Sequence, residues 1–260
     1  EYLADVLTGK TLEFISNSKG KPWCAYLSHY AVHVPLQAKR DIIKKYEAKK
    51  PSRLHQHAVM AAMIESVDEG VGRLVAKLEE TGQRDNTIIF FFSDNGGYGP
   101  ATDMAPLHGY KGNYFEGGIR VPFFVNWPGK IQGGQKSAEP IIGVDLYPTF
   151  LELAGGDRPE QPLDGVSLVS LFRGRKKTLG PRPLYWHFPA YLQSYDVYEE
   201  QRDPLFRTRP CSVIRLGDWK LHEYFEDGVL MLYNLRDDIG EQKDLAKERP
   251  QLVKKLHGML

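Results

Sequence analysis

The stretch TIIFFFSDNGG, residues 87–97, decides how the chain folds. Residues 87–92 are β-branched or aromatic at every position, which suits a strand buried on both faces of a parallel sheet. Asp94 and Asn95 follow where this strand ends, and open α/β sheets bind ligands just outside the carboxyl ends of their strands. A carboxylate beside a side-chain carbonyl offers two hard oxygen ligands for calcium or magnesium. The same Asp-Asn-Gly-Gly sequence is ordinary turn chemistry, so both interpretations stay open.

Working outward, the flanking sequence predicts alternating helices and strands. An apolar stripe predicts a helix over residues 2–17, and a short apolar run predicts a strand at Trp23–Ser28. Apolar residues spaced three and four apart from Met60 to Leu78 predict a long amphipathic helix. The order strand, helix, strand implies a right-handed crossover between parallel strands. Farther on, residues 141–144 predict a short strand, and Asp145 is expected to cap the helix that follows.

A change of texture marks the predicted domain boundary at the basic, proline-containing linker Arg173–Pro183. Beyond it, short strands alternate with hairpin turns, and a helix is predicted at Asp244–Leu260. The predicted strands are residues 184–188, 212–215, 219–224 and 230–234. We therefore predict an α/β domain over residues 1–178, with a mixed, mostly parallel sheet flanked by helices. Residues 179–260 are predicted to form a small α+β domain with an antiparallel sheet and one helix.

Composition excludes some classes of partner and restricts others. The 260 residues are 42% hydrophobic, enough for a sizeable core, and the formal net charge is +1. Such a balance gives no reason to expect nucleic acid or a membrane surface as a partner. No apolar run approaches the ~20 residues of a membrane span. Cys24 and Cys211 are interpreted as plain core thiols, with a single bridge as the alternative.

Two further loops carry candidate site residues. His33 follows the predicted strand Trp23–Ser28, again where ligands gather in an α/β sheet. It is interpreted either as a site residue or as a histidine hydrogen-bonded within its loop. The second loop, LHGYKG at residues 107–112, contains His108 and Lys111.

Several motifs taken together resemble the carboxyl-terminal half of the type I sulfatases, a family of the alkaline-phosphatase superfamily. The segment LSHYAVHVPL at residues 27–36 resembles the family's strand and histidine loop, where Pro-His is more usual than Val32-His33. The joint spacing of the motifs is highly specific, although no single motif is. The other matching segments are SDNGG at 93–97, GYKG at 109–112, YFEGGIRVP at 114–122, WPG at 127–129, VDLYPT at 144–149 and GDWKL at 217–221.

This resemblance implies an alkaline-phosphatase-like fold and a hydrolase that acts on sulfate esters. It implies that Asp94 and Asn95 are ligands of a calcium ion, and that Lys111 and His33 contact the sulfate group. Cationic donors on the non-bridging oxygens, together with a metal, would stabilise the charge that develops as the S–O bond breaks. His33 also suits protonation of the leaving alcohol, with His108 as a lesser candidate for that side.

A second implication of the resemblance concerns loop architecture. Glu116 and Arg120 are expected to form a structural ion pair that holds their loop. Gly117 and Gly118, which lie between them, are expected to permit a close approach of backbone segments.

The nucleophile is where the chain departs from the family pattern. Type I sulfatases use a formylglycine made from the cysteine or serine of a Cys/Ser-x-Pro-x-Arg motif, and this motif is absent here. The adjacent pair of aspartates that completes the family's calcium site is missing with it. Because the chain starts at Glu1 without a methionine, we expect a truncated sulfatase. We expect it to be inactive alone, to have an incomplete calcium site, and to self-associate through exposed strands.

Three hypotheses on function stay open at this point. The first is a fragment of a sulfatase, the second a phosphoryl or phosphonate hydrolase of the same superfamily, and the third a non-catalytic binding module. The expected partner is a sulfated small molecule or a sulfated saccharide, and the resemblance implies a periplasmic, secreted or lysosomal protein. Specificity is expected in loops 101–106 and 189–210, of which the second suits a sulfated sugar or is simply solvated. Its aromatic and guanidinium groups are Tyr191, Tyr195, Arg202, Arg207 and Arg209.

Overall fold

The structure, a computed structural model, describes residues 1–52, 54–195 and 205–260. The chain divides into two units, of which the first contains residues 1–89 and 97–103 and the second residues 90–96 and 104–260. The domains predicted from sequence, 1–178 and 179–260, stay a prediction. Arg202 lies outside the described residues.

The first unit is mainly helical. Its longest helix is the one predicted from the apolar residues between Met60 and Leu78. Met60, Ala62 and Met63 are buried on its inner face, next to α1 and α2. Close packing against α1 occurs at Gly70, where a Cβ atom would lie 2.7 Å from Thr8 Oγ1. The helices are α1 (Leu3–Asn17), α2 (Arg40–Glu47) and α3 (Ala58–Glu80).

The predicted strand at Trp23–Ser28 is wrong, because these residues pair with no strand in the described part of the chain. Most of them are exposed rather than buried on two faces. Trp23 instead packs edge-on against Phe14 at 5.8 Å and donates a 2.9 Å hydrogen bond to Gln83. An apolar run becomes a strand only when a neighbouring strand pairs with its backbone hydrogen-bonding groups, and no strand lies beside this run among the described residues.

The central apolar run forms β1 (Ile89–Phe92), which belongs to the second unit from Phe90 onward and pairs with β2 (Phe123–Asn126). Phe90 packs against Phe123, Phe150 and Phe172, with ring centroids 5.0–6.3 Å apart. The other side of the pair is open, since Phe91 and Phe124 are 39% and 64% exposed. Short helices flank the pair: α4 (Glu116–Ile119), α5 (Leu146–Ala154) and α6 (Val169–Phe172).

Residues 141–144 do not form the predicted strand, because a 3-10 turn occupies Gly143–Asp145. The side chain of Asp145 does not cap α5. Its fully buried carboxylate accepts a 2.9 Å hydrogen bond from the backbone of Val166 and pairs with the guanidinium of Arg182. Asp145 therefore joins separate segments of the unit instead of starting a helix.

The carboxyl-terminal part forms the predicted antiparallel sheet, with strand order β3-β6-β7-β8. Ile214, Leu221, Leu232 and Leu256 are fully buried together between this sheet and the last helix. That helix is shorter than predicted, because Asp244 accepts hydrogen bonds from the backbone of Leu232 and Ala246 and holds a turn before it. The elements are β3 (Pro183–Phe188), β4 (Leu192–Gln193), β5 (Phe206–Thr208), β6 (Cys211–Leu216), β7 (Trp219–Tyr224), β8 (Leu230–Asn234) and α7 (Pro250–His257).

The mostly parallel sheet that the sequence predicts is not confirmed, because the four-stranded sheet and the pair β4–β5 are antiparallel. Among the described residues, no helix combines the length and the apolar character needed to cross a bilayer.

Candidate active site

Three backbone segments of the second unit meet at the turn formed by Gly117 and Gly118. The backbone N–H of Gly96 donates a 2.8 Å hydrogen bond to the carbonyl of Gly118. The N–H of Gly117 donates a 2.7 Å hydrogen bond to the carbonyl of His108. The loop after β1 and the loop that contains Lys111 are therefore bonded to one and the same turn.

Only glycine permits this approach at Gly96 and Gly117. A Cβ atom on Gly96 would overlap the carbonyl of Gly117, and one on Gly117 would lie 2.5 Å from the carbonyl oxygen of His108. The obstructing atoms are backbone atoms, which cannot rotate away as a side chain would. Any side chain at these positions would push the two candidate loops apart. The prediction that Gly117 and Gly118 allow close backbone approach is confirmed, because a Cβ atom on Gly118 would likewise overlap the backbone carbonyl of Asn113.

Asp94 and Asn95 lie side by side in the loop after β1. Asp94 is exposed and Asn95 half-buried, and the Asn95 amide donates to the Asp94 carboxylate. Ser93 Oγ donates a 3.2 Å hydrogen bond to the carbonyl of Asn95 and supports the loop. Their oxygen atoms suit a hard cation such as calcium, which takes about 6–8 oxygen ligands, so this pair fits part of a calcium shell. In the described ranges, no group of three or more His, Cys, Asp or Glu side chains is placed to hold a metal ion.

The predicted cation of the site, Lys111, is half-buried in the loop bonded to Gly117. No carboxylate of the described residues lies within ion-pair distance of its ammonium group. A half-buried ammonium without a counter-charge suits an anionic ligand. His108, in the same loop, stacks on Phe115 with the ring centroids 4.0 Å apart and the planes 13° apart.

His33 lies in the first unit, whereas Asp94, Asn95, His108 and Lys111 lie in the second. It is exposed, and its Nδ1 lies 3.0 Å from the backbone carbonyl of Val34. The hydrogen-bonded loop histidine weighed from the sequence is thus present, and the role of His33 at a sulfate group stays a prediction. The other four residues share the segments joined by Gly117 and Gly118.

Behind the glycine turn lies a buried group of charges formed by Glu116, Lys220 and Glu241. Each of the three residues is at most 2% exposed. Lys220 Nζ lies 3.1 Å from Glu116 Oε1 and 2.9 Å from Glu241 Oε1. The backbone N–H of Glu116 also donates a 2.5 Å hydrogen bond to Glu241 Oε2. Two segments of the carboxyl-terminal part therefore fix the residue at which the glycine turn begins.

Two arginines lie at the edge of this buried group. Arg120 lies 3.4 Å and Arg215 lies 3.5 Å from Glu116 Oε2. The predicted ion pair between Glu116 and Arg120 is therefore confirmed. It is the exposed part of a larger network, because the Arg120 side chain is 53% exposed and that of Lys220 is fully buried.

His222 connects the buried charges to the site loop. Its Nε2 lies 3.5 Å from Glu241 Oε1, and its ring stacks on Phe115 at 4.9 Å, which in turn stacks on His108. Complete burial lowers the pKa of His222, so it is neutral at pH 7. Burial by itself would raise the pKa of Glu241, but contact with His222 and the charge of Lys220 hold it below its ordinary value. Glu241 is therefore a buried carboxylate whose charge Lys220 balances.

Sequence reasoning missed the roles of Lys220 and Glu241. Lys220 stands in a motif that carries the family resemblance, yet nothing local shows that its side chain points inward. Glu241 has a left-handed backbone, with φ of 51°, and follows a glycine in a sequence typical of a turn. From sequence alone, a lysine in a strand and a glutamate in a turn are both typical of exposed positions. Their roles depend on contacts with Glu116, which lies 104 and 125 residues from Lys220 and Glu241 in sequence.

Comparison with known proteins gives this site its context. The family model described as Sulfatase matches residues 1–156. The chain belongs to the sulfatase family. A second model, N-sulphoglucosamine sulphohydrolase, C-terminal, matches residues 108–260. The resemblance to type I sulfatases of the alkaline-phosphatase superfamily is thereby confirmed.

Individual relatives agree with this assignment. A sulfatase of Formosa agariphila is 36% identical over 271 residues, covering 96% of this chain and 47% of that protein. Human steryl-sulfatase is 33% identical over 218 residues, covering 80% of this chain and 36% of the human protein. This sulfatase chain therefore spans about half, or less, of these relatives.

Solved structures confirm the alkaline-phosphatase-like fold. The crystal structure of Ps i-CgsB in complex with k-i-k-neocarrahexaose superimposes with a TM-score of 0.81 at 31% identity, covering 98% of this chain and 53% of that one. A sulfatase of Bacteroides fragilis superimposes with a TM-score of 0.77 at 21% identity, covering 100% of this chain and 58% of that one.

Proposed function

We propose that these residues form the carboxyl-terminal part of an enzyme that hydrolyses sulfate esters. The observation that carries this proposal is the glycine turn at Gly117 and Gly118, which ties the Asp94-Asn95 loop to the Lys111 loop. The Asp94-Asn95 pair of oxygen ligands and the ammonium of Lys111, which has no carboxylate within ion-pair distance among the described residues, are thereby held on two loops bonded to the same turn. That combination suits a tetrahedral anion whose charge rises on one oxygen as its ester bond breaks.

Each residue of the chain has a distinct task in this proposal. Lys111 binds the non-bridging oxygens of the sulfate group through its three N–H donors. His33 donates to the sulfate or protonates the leaving alcohol, and His108 is the lesser candidate for the leaving-group side. Asp94 and Asn95 would hold a calcium ion, which when bound supplies positive charge beside the sulfate oxygens. The remaining calcium ligands and a formylglycine nucleophile would come from sequence outside these 260 residues.

A sulfated saccharide is the substrate class that we propose. Support comes from Ps i-CgsB, which is 31% identical and was crystallised with k-i-k-neocarrahexaose. The family model for the carboxyl-terminal part of N-sulphoglucosamine sulphohydrolase points to the same class. The loop around Tyr195 and Arg207 offers the aromatic and guanidinium groups that suit such a ligand.

The test is sulfate release by the full-length protein that contains this chain, measured for the unmodified protein and for Lys111→Met. Removal of a preorganised charge donor is expected to lower kcat/KM by about 100-fold or more. Lys243→Met is the matched control, because Lys243 is exposed and pairs with Glu248 at 2.8 Å, and its kcat/KM should change less than about twofold. Equal activity of Lys111→Met and the unmodified protein would overturn the assigned role of Lys111. Absence of sulfate release from every sulfated substrate would overturn the proposed function itself.

A further inference from the structure

A second cation that has no carboxylate partner among the described residues lies beside the Lys111 loop. The side chain of Arg207, in β5, packs directly on Gly112, where a Cβ atom would lie 2.9 Å from its Cδ and 3.2 Å from its guanidinium carbon. Because successive Cα atoms are 3.8 Å apart, Arg207 Nε lies within roughly 8 Å of the Lys111 Cα. The backbone of Gly112 has a φ of 96°, so a larger residue there would be strained as well as obstructed.

An aromatic ring holds this guanidinium in place. The guanidinium carbon of Arg207 lies 4.1 Å from the ring centroid of Tyr195, which is stacking distance. Tyr195 in turn packs against Tyr110, with the ring centroids 5.6 Å apart. Tyr110 is 1% exposed and belongs to the Lys111 loop, so the stack is anchored in buried structure. Among the described residues, packing on Tyr195 rather than a salt bridge holds Arg207.

No carboxylate compensates this charge in the part of the chain that the structure describes. Arg207 makes neither an ion pair nor a hydrogen bond there, and its Nε is buried without a partner. Arg209, two residues farther on, differs in this respect, because it lies 2.8 Å from Glu226. Of these two arginines, Arg209 therefore has an internal carboxylate as its partner, and Arg207 has none among the described residues.

We propose that Arg207, stacked on Tyr195, forms a subsite for a second anionic group of the substrate, next to the sulfate bound by Lys111. The guanidinium would bind this group through paired N–H donors, while its plane stays stacked on the aromatic ring. The inference rests on the proposed function, and it narrows the substrate to a polyanionic saccharide. The second anion is another sulfate or the carboxylate of a uronate, since both present two oxygens to a guanidinium.

The test compares three substrates in the full-length protein: an aryl monosulfate, a disaccharide with a second sulfate, and a monosulfated disaccharide with a uronate. Hydrogen bonds to charged groups contribute about 1.5–3 kcal/mol, which corresponds to about 10- to 150-fold in kcat/KM. Arg207→Met should lose this factor on whichever disaccharide supplies the second anion, and less than about threefold on the aryl monosulfate. Arg207→Lys should recover part of the loss, and the control Arg236→Met, at an exposed arginine that pairs with Asp218, should resemble the unmodified protein.

Binding of the same disaccharides, measured by calorimetry, separates this inference from the proposed function. Loss of disaccharide affinity in Arg207→Met, in a protein that hydrolyses none of the substrates, would support the subsite and overturn the sulfatase activity. A preference for the second anion that survives Arg207→Met would overturn the subsite and leave the sulfatase activity standing. An equal loss on all three substrates would also overturn the subsite, because it would show a general structural role for Arg207.

Discussion

Lys220→Met is expected to be one of the most destabilising single substitutions in the second unit. Lys220 is fully buried between Glu116 and Glu241, at 3.1 Å and 2.9 Å from their carboxylate oxygens. Its removal leaves Glu241 with the backbone N–H of Glu116 and with His222, whose lowered pKa keeps it neutral and unable to balance the charge. Loss of one partner from a buried ion pair costs about 3–5 kcal/mol. That is a large fraction of the roughly 5–15 kcal/mol by which proteins are stable.

The loss of stability should depend on pH with a defined sign. In the unmodified chain, the pKa of Glu241 is lowered on folding, so its contribution is present above the unfolded value of 4.5 and is lost as pH falls through the folded value. In Lys220→Met the main opposing charge is gone, and burial raises the pKa of Glu241 instead. The difference in unfolding free energy between the two proteins should therefore be largest near pH 7. It should shrink as pH falls toward 4, where the carboxylates become protonated.

Urea unfolding of the 260-residue chain, followed by circular dichroism at several pH values, measures this difference. The double variant Lys220→Met, Glu241→Gln should recover part of the loss, because it removes the uncompensated carboxylate. Lys243→Met removes an exposed lysine that pairs with Glu248 and should change the unfolding free energy by less than about 1 kcal/mol. A loss below about 1 kcal/mol for Lys220→Met at pH 7, or a difference that does not vary with pH, would refute this account of the buried charges.

Three further predictions concern the 260-residue chain by itself. It should release no sulfate from an aryl sulfate, because it contains no Cys/Ser-x-Pro-x-Arg motif, and measurable turnover would contradict this. It should bind calcium weakly, because Asp94 and Asn95 supply few of the ~6–8 oxygens required, and a tight calorimetric titration would show that other ligands exist. It should self-associate, because Phe91 and Phe124 leave an open apolar face 39% and 64% exposed, and light scattering from a monodisperse monomer at high concentration would contradict this expectation.

Local patterns predict the carboxyl-terminal sheet well. The predicted strands at 219–224 and 230–234 have the bounds observed for β7 and β8. Hairpin turns place such strands beside their partners, so turn residues and alternation suffice to locate them. The strand predicted at Trp23–Ser28 fails for the opposite reason, since a parallel strand needs a partner distant in sequence and the described residues contain none beside it.

The candidate site was predictable where its residues lie close in sequence. Asp94, Asn95 and Lys111 were named from motifs, and the glycines at 117 and 118 were expected to bring backbone segments together. The roles of the buried Lys220 and Glu241 were not predictable, because these residues are separated from Glu116 by 104 and 125 residues in sequence. Arg207 was named only as one of several loop residues. That it has no carboxylate partner among the described residues, unlike Arg209, becomes visible only in the folded structure.

The carboxyl-terminal sheet has a role at the site beyond completing the fold. Glu116 begins the turn that bonds both candidate loops, and its backbone N–H and its carboxylate are each held by residues from position 215 onward. Through this turn, the charges of Lys220 and Glu241 fix the spacing between the Asp94-Asn95 loop and the Lys111 loop. Arg207 reaches the same loop from the other side, at Gly112. The carboxyl-terminal part thus holds the proposed sulfate site in shape through Lys220 and Glu241, and through Arg207 in β5 it presents the cation proposed to select the substrate.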